Sequence, residues 1–300
     1  MNVLVTGSSG RIGRAIYVAL TRKGVQVRGF DRHPSSTADI VGDLLSPVLR
    51  RDALAGVDAV IHVAALHAPH VGHLPDAEFQ RSNVDGTRAL LEAAAAAGLR
   101  RIVFTSTTAL YGAAATPTGR AGWVDETLTP IPRTIYHHSK LAAEQLLIEA
   151  AGQGGPSVRI LRMSRCFPEA ADRMAVHRLH RGIDARDVAA AHIAALADTD
   201  DAAAATCLIS AATPFRREDA QALWDNAPPV IAERAPALAA AFAARGWALP
   251  PRIDRVYDAA RAVAKLGWRP RHGFDEVLAQ YDAESPEVLM PDAARGNAED

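Results

Sequence analysis

Tyr136 and Lys140 stand four residues apart in the run Tyr136-His137-His138-Ser139-Lys140, so any helix carrying them shows both on one face. A free phenol titrates near pH ~10, too high for a base at neutral pH, and a neighbouring ammonium stabilises the phenolate. The pair therefore suits proton transfer to or from a hydroxyl. A second group of hydroxyls, Ser106, Thr107 and Thr108, ends the β-branched run that starts at Arg101. In an open α/β sheet the carboxyl ends of the strands are where ligands bind, which makes these three candidates to orient a substrate oxygen.

A glycine-rich stretch, Thr6-Gly7-Ser8-Ser9-Gly10-Arg11-Ile12-Gly13, lies between a strand-like run and an amphipathic one. Gly7 suits a tight turn, Gly10 lets backbone amides approach a pyrophosphate, and Gly13 lets the following helix pack against the sheet. The helix start offers unpaired N–H groups and a positive dipole end, so Ser9, Gly10, Arg11, Ile12 and Gly13 are candidate dinucleotide contacts. The next strand ends in Phe30-Asp31, an acid placed for the adenosine ribose, which favours NAD. Arg32 or Arg11 could instead receive a 2′-phosphate, which leaves NADP open. Asp43-Leu44 suits the adenine amino group, with a helix N-cap as the other reading of Asp43. A positive nicotinamide ring beside Tyr136 would assist Lys140 in lowering the phenol's pKa.

Short apolar runs at 2–6, 25–30, 59–63, 101–105 and 157–162 read as buried parallel strands. Helical patterns at 11–23, 76–97 and 136–151 separate them, and 187–198 and 206–210 read as a further helix and strand. This alternation predicts a Rossmann-type, doubly wound parallel α/β sheet with a small, partly discontinuous C-terminal lobe. The predicted division is a dinucleotide-binding domain at 1–162 and 185–211 and a substrate lobe at 163–184 and 212–284. Residues 285–300 carry little periodicity and are expected to form a flexible tail.

Of the 300 residues, 49% are hydrophobic and 22% charged, a balance for a folded globular chain; the formal net charge of −1 supplies no field for nucleic acid. The lone cysteines Cys166 and Cys207 give neither a disulfide framework nor a zinc set, and fit a cytoplasmic setting. No targeting segment or membrane span is legible.

In order along the chain, Thr6 to Gly13, Asp43-Leu44, His62-Val63-Ala64-Ala65, Asn83-Val84-Asp85-Gly86-Thr87, Ser106 to Gly112, Tyr136 to Lys140 and Asp184 to Ala189 resemble the motifs of extended short-chain dehydrogenases/reductases, the NAD-dependent epimerase/dehydratase family. Leu266-Gly267-Trp268-Arg269-Pro270 resembles that family's C-terminal signature. The resemblance implies Thr107 as the catalytic hydroxyl, Tyr136 as general acid/base and Lys140 as the residue that holds the nicotinamide ribose. It also implies Ala64, Ala65 and Asn83 at the cofactor site, and a homodimer formed through the helices at 76–97 and 136–151.

Three departures bear on the reaction. Thr108-Ala109 follows Thr107 where dehydratases of the family carry Asp-Glu, so dehydration is not expected. Only 25 positions separate Arg162 from Asp187, short for holding a nucleotide-sugar. Cys166-Phe167-Pro168-Glu169 with Arg173-Met174 resembles the loop of uronate dehydrogenases, although Ala109 stands where those enzymes carry a histidine. By that resemblance Arg173 would clamp a carboxylate, with Arg165 in the same loop a further candidate. His67-Ala68-Pro69-His70 follows a strand end and is read as substrate contact at His67 and His70 rather than as a metal site. The expected activity is hydride transfer between NAD(P) and a hydroxyl or hemiacetal carbon of a small sugar-like molecule. A nucleotide-sugar 4-epimerase is the alternative, and a non-catalytic NAD(P)-sensing regulator the third.

Overall fold

The computed structural model describes residues 1–291. Among the described residues nine strands appear in chain order: β1 (Asn2–Thr6), β2 (Gln26–Asp31), β3 (Ile40–Val41), β4 (Ala59–His62), β5 (Arg101–Thr107), β6 (Gly122–Val124), β7 (Ser157–Met163), β8 (Ala204–Ile209) and β9 (Arg255–Tyr257). Seven form one parallel sheet in the order β3-β2-β1-β4-β5-β7-β8, the doubly wound arrangement the alternating pattern predicts. β6 and β9 pair in parallel as a separate ribbon. The strand order reverses between β1 and β4, and the cleft above such a reversal is where these sheets bind ligands.

Side chains alternate across the sheet with period two, which separates two cores. Val3, Val5, Ile61 and Val103 face helices Arg11–Arg22 and Ala185–Ala197, whereas Leu4, Val60, Ile102 and Phe104 face helices Gly86–Ala96 and Ile135–Gly152. A third core, built on Met174, Leu179, Leu223, Phe242, Ile253 and Val277, defines the lobe.

The structure corrects the sequence-based outline at several points. Residues 76–97 are not one α-helix: Asp76–Phe79 passes into a π-helical turn at Gln80–Asp85 before Gly86–Ala96 resumes. Such an insertion within a helix is frequent at functional sites. Residues 171–180, expected as loop, form the helix Ala171–His180, buried on nearly every side. Trp268, Ala262 and Tyr257 pack into the core beneath the sheet, not into the lobe to which 212–284 was assigned. Ala121 in turn belongs to the lobe's core. The tail does not fray through 285–291: Val288 is buried, the Leu289 N–H donates to Glu169 O at 2.8 Å, and Leu289 O accepts from Ala171 N–H at 3.0 Å. A buried valine and two backbone bonds outweigh the lack of periodicity there. The remainder of the expected tail, 292–300, lies outside the described residues. No helix among the described residues is long and apolar enough to cross a membrane.

Candidate functional site

The glycine loop turns directly from β1 into helix Arg11–Arg22. Gly7 has φ +69°, and a Cβ there would lie 2.6 Å from Ala64 N; one at Gly13 would lie 2.0 Å from Gly7 O. Both positions therefore exclude any side chain, and the loop packs against the segment after β4. Gly10 is the N-cap and no side chain caps that helix end, which leaves its first N–H groups facing the cleft. Ile12 packs against the sheet's core and anchors the turn. Asp31 Oδ2 accepts from Ser9 N–H at 2.9 Å and Oδ1 from His33 N–H at 2.8 Å, so the acid at the end of β2 holds the glycine loop in place. Ser9 Oγ donates to His33 O at 2.6 Å, locking the same junction.

The two arginines considered for a 2′-phosphate are both paired with acids. Arg11 bonds Glu287 at 2.5 Å. Arg32 lies 3.6 Å from Asp43 and donates to Ser82 Oγ at 3.2 Å. Asp43 also accepts from Arg81 at 2.7 Å and from Leu45 N–H at 2.9 Å. Its partial burial alone would raise the carboxyl's pKa, and those donors together bring it below the usual range. Leu44 packs against the core under β1 and β2. Arg81 was not singled out by the sequence; the π-helical turn presents it.

Beneath the switch point, Thr6, His62 and Thr87 form a closed chain. Thr87 Oγ1 donates to Asn83 O at 2.6 Å and is 3.0 Å from His62 Nε2; His62 Nδ1 is 2.7 Å from Thr6 Oγ1. With the Thr87 proton committed, Nε2 must donate and Nδ1 must accept from Thr6, so the ring is neutral. Burial agrees, pushing His62 down to about 3. Thr6 Oγ1 in turn accepts from Val63 and Ala64 N–H at 3.2 and 3.3 Å, which fixes the chain entering Ala64 and Ala65.

Asn83 positions the site instead of facing a cofactor directly. Its Oδ1 accepts from Leu66 N–H at 2.7 Å, and its Nδ2 donates to Leu66 O and Ser139 Oγ, both at 2.9 Å. Ser139 Oγ then donates to Tyr136 O at 3.0 Å. One buried amide thus ties the loop after β4 to the helix that carries Tyr136 and Lys140.

That helix, Ile135–Gly152, starts at a Thr134 cap and directs Tyr136 and Lys140 toward the end of β5. Lys140 Nζ donates to Thr105 O at 2.7 Å and lies 3.9 Å from the centre of the Phe104 ring. Burial lowers it from 10.5 to about 7, against an opposing pull from Glu144. The Thr107 side chain beside Tyr136 favours the phenolate, but burial dominates and pushes the phenol up to about 12. The expected lowering of Tyr136 is therefore absent from the protein's own groups. Lys140 is engaged with the Thr105 carbonyl, and the phenol is held protonated. Thr107 Oγ1 also accepts from Ala109 N–H at 3.1 Å, which ends β5 and starts the 3-10 turn Thr108–Tyr111.

Ser106 does not face a substrate. It is buried and donates to Glu144 Oε1 at 2.5 Å, because alternate residues of β5 point to opposite sides. Thr108 is likewise 96% buried, at 4% exposure. Arg162 holds Glu144 through Nε at 3.0 Å and Nη2 at 2.7 Å, and donates through Nη1 to Tyr111 OH at 3.0 Å. This buried pair supports from below the helix that carries Tyr136 and Lys140, and the sequence reading passed over it. Its signal was Glu144 four residues beyond Lys140, on the same helical stripe as Tyr136.

His67 and Phe167, from the loops after β4 and β7, stack with ring centres 6.1 Å apart, and His70 meets His67 edge-on at 4.5 Å. Burial and the neighbouring His70 lower His67, which favours its neutral form. Arg165 sits 5.5 Å from Phe167, yet its Nε and Nη2 are clamped by Glu169 at 2.7 and 2.8 Å, so its charge is answered within the protein. Burial would raise Glu169, but His177 and Arg165 together bring it to about 2. Arg173 is exposed and makes no hydrogen bond or ion pair among the described residues. No group of three or more metal-binding side chains occurs among them either.

A doubly wound parallel sheet with a glycine loop at its switch point and a Thr-Tyr-Lys set beside it defines a nucleotide-cofactor enzyme class. The sequence model of the NAD dependent epimerase/dehydratase family matches residues 3–183, and the chain belongs to that family. It is 34% identical over 169 residues to a 4-hydroxy-2-methyl-3-oxo-4-farnesyl-3,4-dihydroquinoline-1-oxide ketoreductase of Stigmatella aurantiaca, covering 53% of this chain and 48% of that protein. It is 34% identical over 166 residues to a 3-beta-hydroxysteroid dehydrogenase of Mycolicibacterium neoaurum, covering 51% and 44%. The chain spans about half the length of the curated relatives it matches. Among solved structures it is similar to a short-chain dehydrogenase/reductase superfamily protein from Agrobacterium tumefaciens with bound NAD (TM-score 0.72, 25% identity, 94% of this chain and 96% of that one). It is also similar to MoeE5 in complex with UDP-glucose and NAD (TM-score 0.68, 25% identity, 94% and 98%).

Proposed function

We propose that this chain is an NAD-dependent oxidoreductase that transfers a hydride between nicotinamide and a hydroxyl or hemiacetal carbon of a small, sugar-like molecule. The observation that carries the reading is Thr107, Tyr136 and Lys140 gathered at the carboxyl end of β5, beside the uncapped helix start at Gly10. The residues fit the cofactor: Gly7 and Gly13 leave room only for backbone, and Asp31 stands at the end of β2 for a ribose. Asp31 at the end of β2 favours NAD, while Arg32, exposed and 3.6 Å from an Asp43 that Arg81 already holds, is the guanidinium a 2′-phosphate would meet. Bound NAD supplies the hydride acceptor. Thr107 Oγ1 orients the reacting oxygen. The positive nicotinamide ring of bound NAD and the Lys140 ammonium together would bring the phenol down from its cofactor-free value, so that Tyr136 as phenolate takes the hydroxyl's proton as the carbon–hydrogen bond breaks.

The segment after β7 supports a small substrate, since it holds one ten-residue helix, Ala171–His180, and no longer insertion. Exposed Phe167 beside His67 gives the cleft an aromatic wall, and exposed Arg173 remains the guanidinium open to a substrate carboxylate. A nucleotide-sugar 4-epimerase is the second reading, supported by the likeness to MoeE5 with its UDP-glucose. A screen of aldoses, uronic acids and nucleotide sugars with NAD and NADP separates the two: net NADH release supports the dehydrogenase, and epimerised product without it supports the other. Tyr136→Phe is expected to lower kcat by a factor on the order of 10²–10⁴; full turnover by that variant would refute the assignment. We further propose a homodimer through helix Ile135–Gly152 and the 76–96 region, checked by light scattering, and a cytoplasmic setting in keeping with the buried free thiols Cys166 and Cys207.

A further inference from the structure

The lobe contains a cavity of about 360 Å³ lined by residues from helix Ala171–His180, the segment after β8, and the starts of helices Pro236–Arg245 and Phe274–Asp282. None of its lining residues is Thr107, Tyr136, Lys140 or Asn83. Its walls are mainly apolar, from Leu179, Pro214, Ala235 and Phe274. One lining group does not fit an apolar wall. The Arg178 side chain is only 2% exposed, and its Nε has no hydrogen-bond partner. Its nearest acid, Asp184, is 3.3 Å from Nη2 but is already held by Arg186 at 2.9 and 3.0 Å. A buried guanidinium with unmet donors is costly, and an anion relieves that cost.

Two helix ends point the same way. Neither Pro236–Arg245 nor Phe274–Asp282 has a side-chain cap, and both begin at the cavity. Pro236 has no N–H, and the N–H groups of Leu238 and Ala239 turn back to Ala235 O, which leaves the Ala237 N–H as the donor at that end. The other charges at the site limit the ligand. Arg234 is bonded to Asp219 twice at 2.9 Å and to Glu233 at 3.0 Å, so it brings no unspent charge. Asp275, exposed at the rim, disfavours a doubly charged guest. A buried guanidinium with an unpartnered Nε, one free N–H at a helix start and an apolar body of space describe a site for a monoanion with a hydrocarbon portion.

We propose that this cavity is a second ligand site, separate from the Thr107–Tyr136–Lys140 centre, that binds a small organic carboxylate with its head on Arg178 and the Ala237 N–H. The volume lies at the lower end of small-molecule pockets. The proposal does not rest on the redox reading. The test uses the full chain saturated with NAD and follows benzoate by ligand-observed NMR and calorimetry, with benzamide and inorganic phosphate as comparisons. Benzoate is expected to bind saturably, and benzamide and phosphate at least about ten-fold more weakly. Ala237→Glu adds a carboxylate at an exposed first-turn position, which helix starts tolerate; it is expected to weaken benzoate by about ten-fold or more, with the fold intact. Arg178→Met should do the same, and Tyr136→Phe should leave benzoate binding unchanged. Absence of benzoate binding, equal binding of benzamide, preference for phosphate, or undiminished binding by Ala237→Glu would each overturn the proposal.

Discussion

Replacing Lys140 with methionine is expected to destroy activity while making the protein more stable at mildly acid pH. The Lys140 ammonium is buried, and its pKa falls from 10.5 to about 7 in the folded chain. Between those values the unfolded chain binds more protons than the folded one, so this lysine makes stability rise with pH across that window. Below pH 7 the full cost of holding the ammonium is present, about 5 kcal/mol at about 1.4 kcal/mol per pH unit. Methionine has a similar volume and no charge. It forfeits the bond to Thr105 O, worth about 1 kcal/mol. The variant should therefore be more stable than the parent by about 3–4 kcal/mol at pH 6, a gap that closes nearly to zero by pH ~9.5. Urea unfolding of cofactor-free protein, followed by tryptophan fluorescence at both pH values, measures the difference, and groups titrating alike in both proteins cancel. A variant less stable at pH 6, or a difference that does not change with pH, would refute the claim that Lys140 is held at a cost. Burial that destabilises the fold while setting the pKa near neutrality is what a proton-transfer site requires.

Three other outcomes follow from the same geometry. Gly13→Ala places a methyl 2.0 Å from Gly7 O, so NAD affinity should drop at least about ten-fold in a fluorescence titration. Asn83→Ala removes three hydrogen bonds joining the loop after β4 to the catalytic helix, and should cost about 2–3 kcal/mol by denaturant unfolding and reduce kcat more than it raises KM. Glu144→Gln strands the buried Arg162 charge and should cost about 3–5 kcal/mol, whereas the double variant Glu144→Gln with Arg162→Met should recover most of that loss in the same measurement.

Local signals made much of this chain legible. β1 was delimited residue for residue, and β4, β5 and β7 to within two residues, because a strand buried on both faces needs an unbroken apolar run wherever it lies. The glycine loop was equally legible, since Gly7 and Gly13 sit where a Cβ would strike neighbouring backbone. Tyr136 and Lys140 share a helical face through spacing alone, and the family resemblance picks Thr107 out of three hydroxyls at a strand end.

What the sequence left undecided depends on partners distant along the chain. Ser106 and Thr107 are adjacent hydroxyls, but the pleat sends one to Glu144 and the other to Tyr136. Arg165 and Arg173 read alike as substrate clamps until Glu169 is seen holding the first. The π-helical turn that aims Asn83, and the docking of Val288 and Leu289 on the lobe, have no local periodicity to betray them. The pKa values of Tyr136 and Lys140 moved opposite ways from what a bare pair implies for the phenol, because burial, a property only of the assembled molecule, outweighs the single charge that spacing provides. Sequence determined which groups can do chemistry here; the tertiary structure decided which of them are free to do it, because only packing fixes how much water and how many competing partners each group keeps.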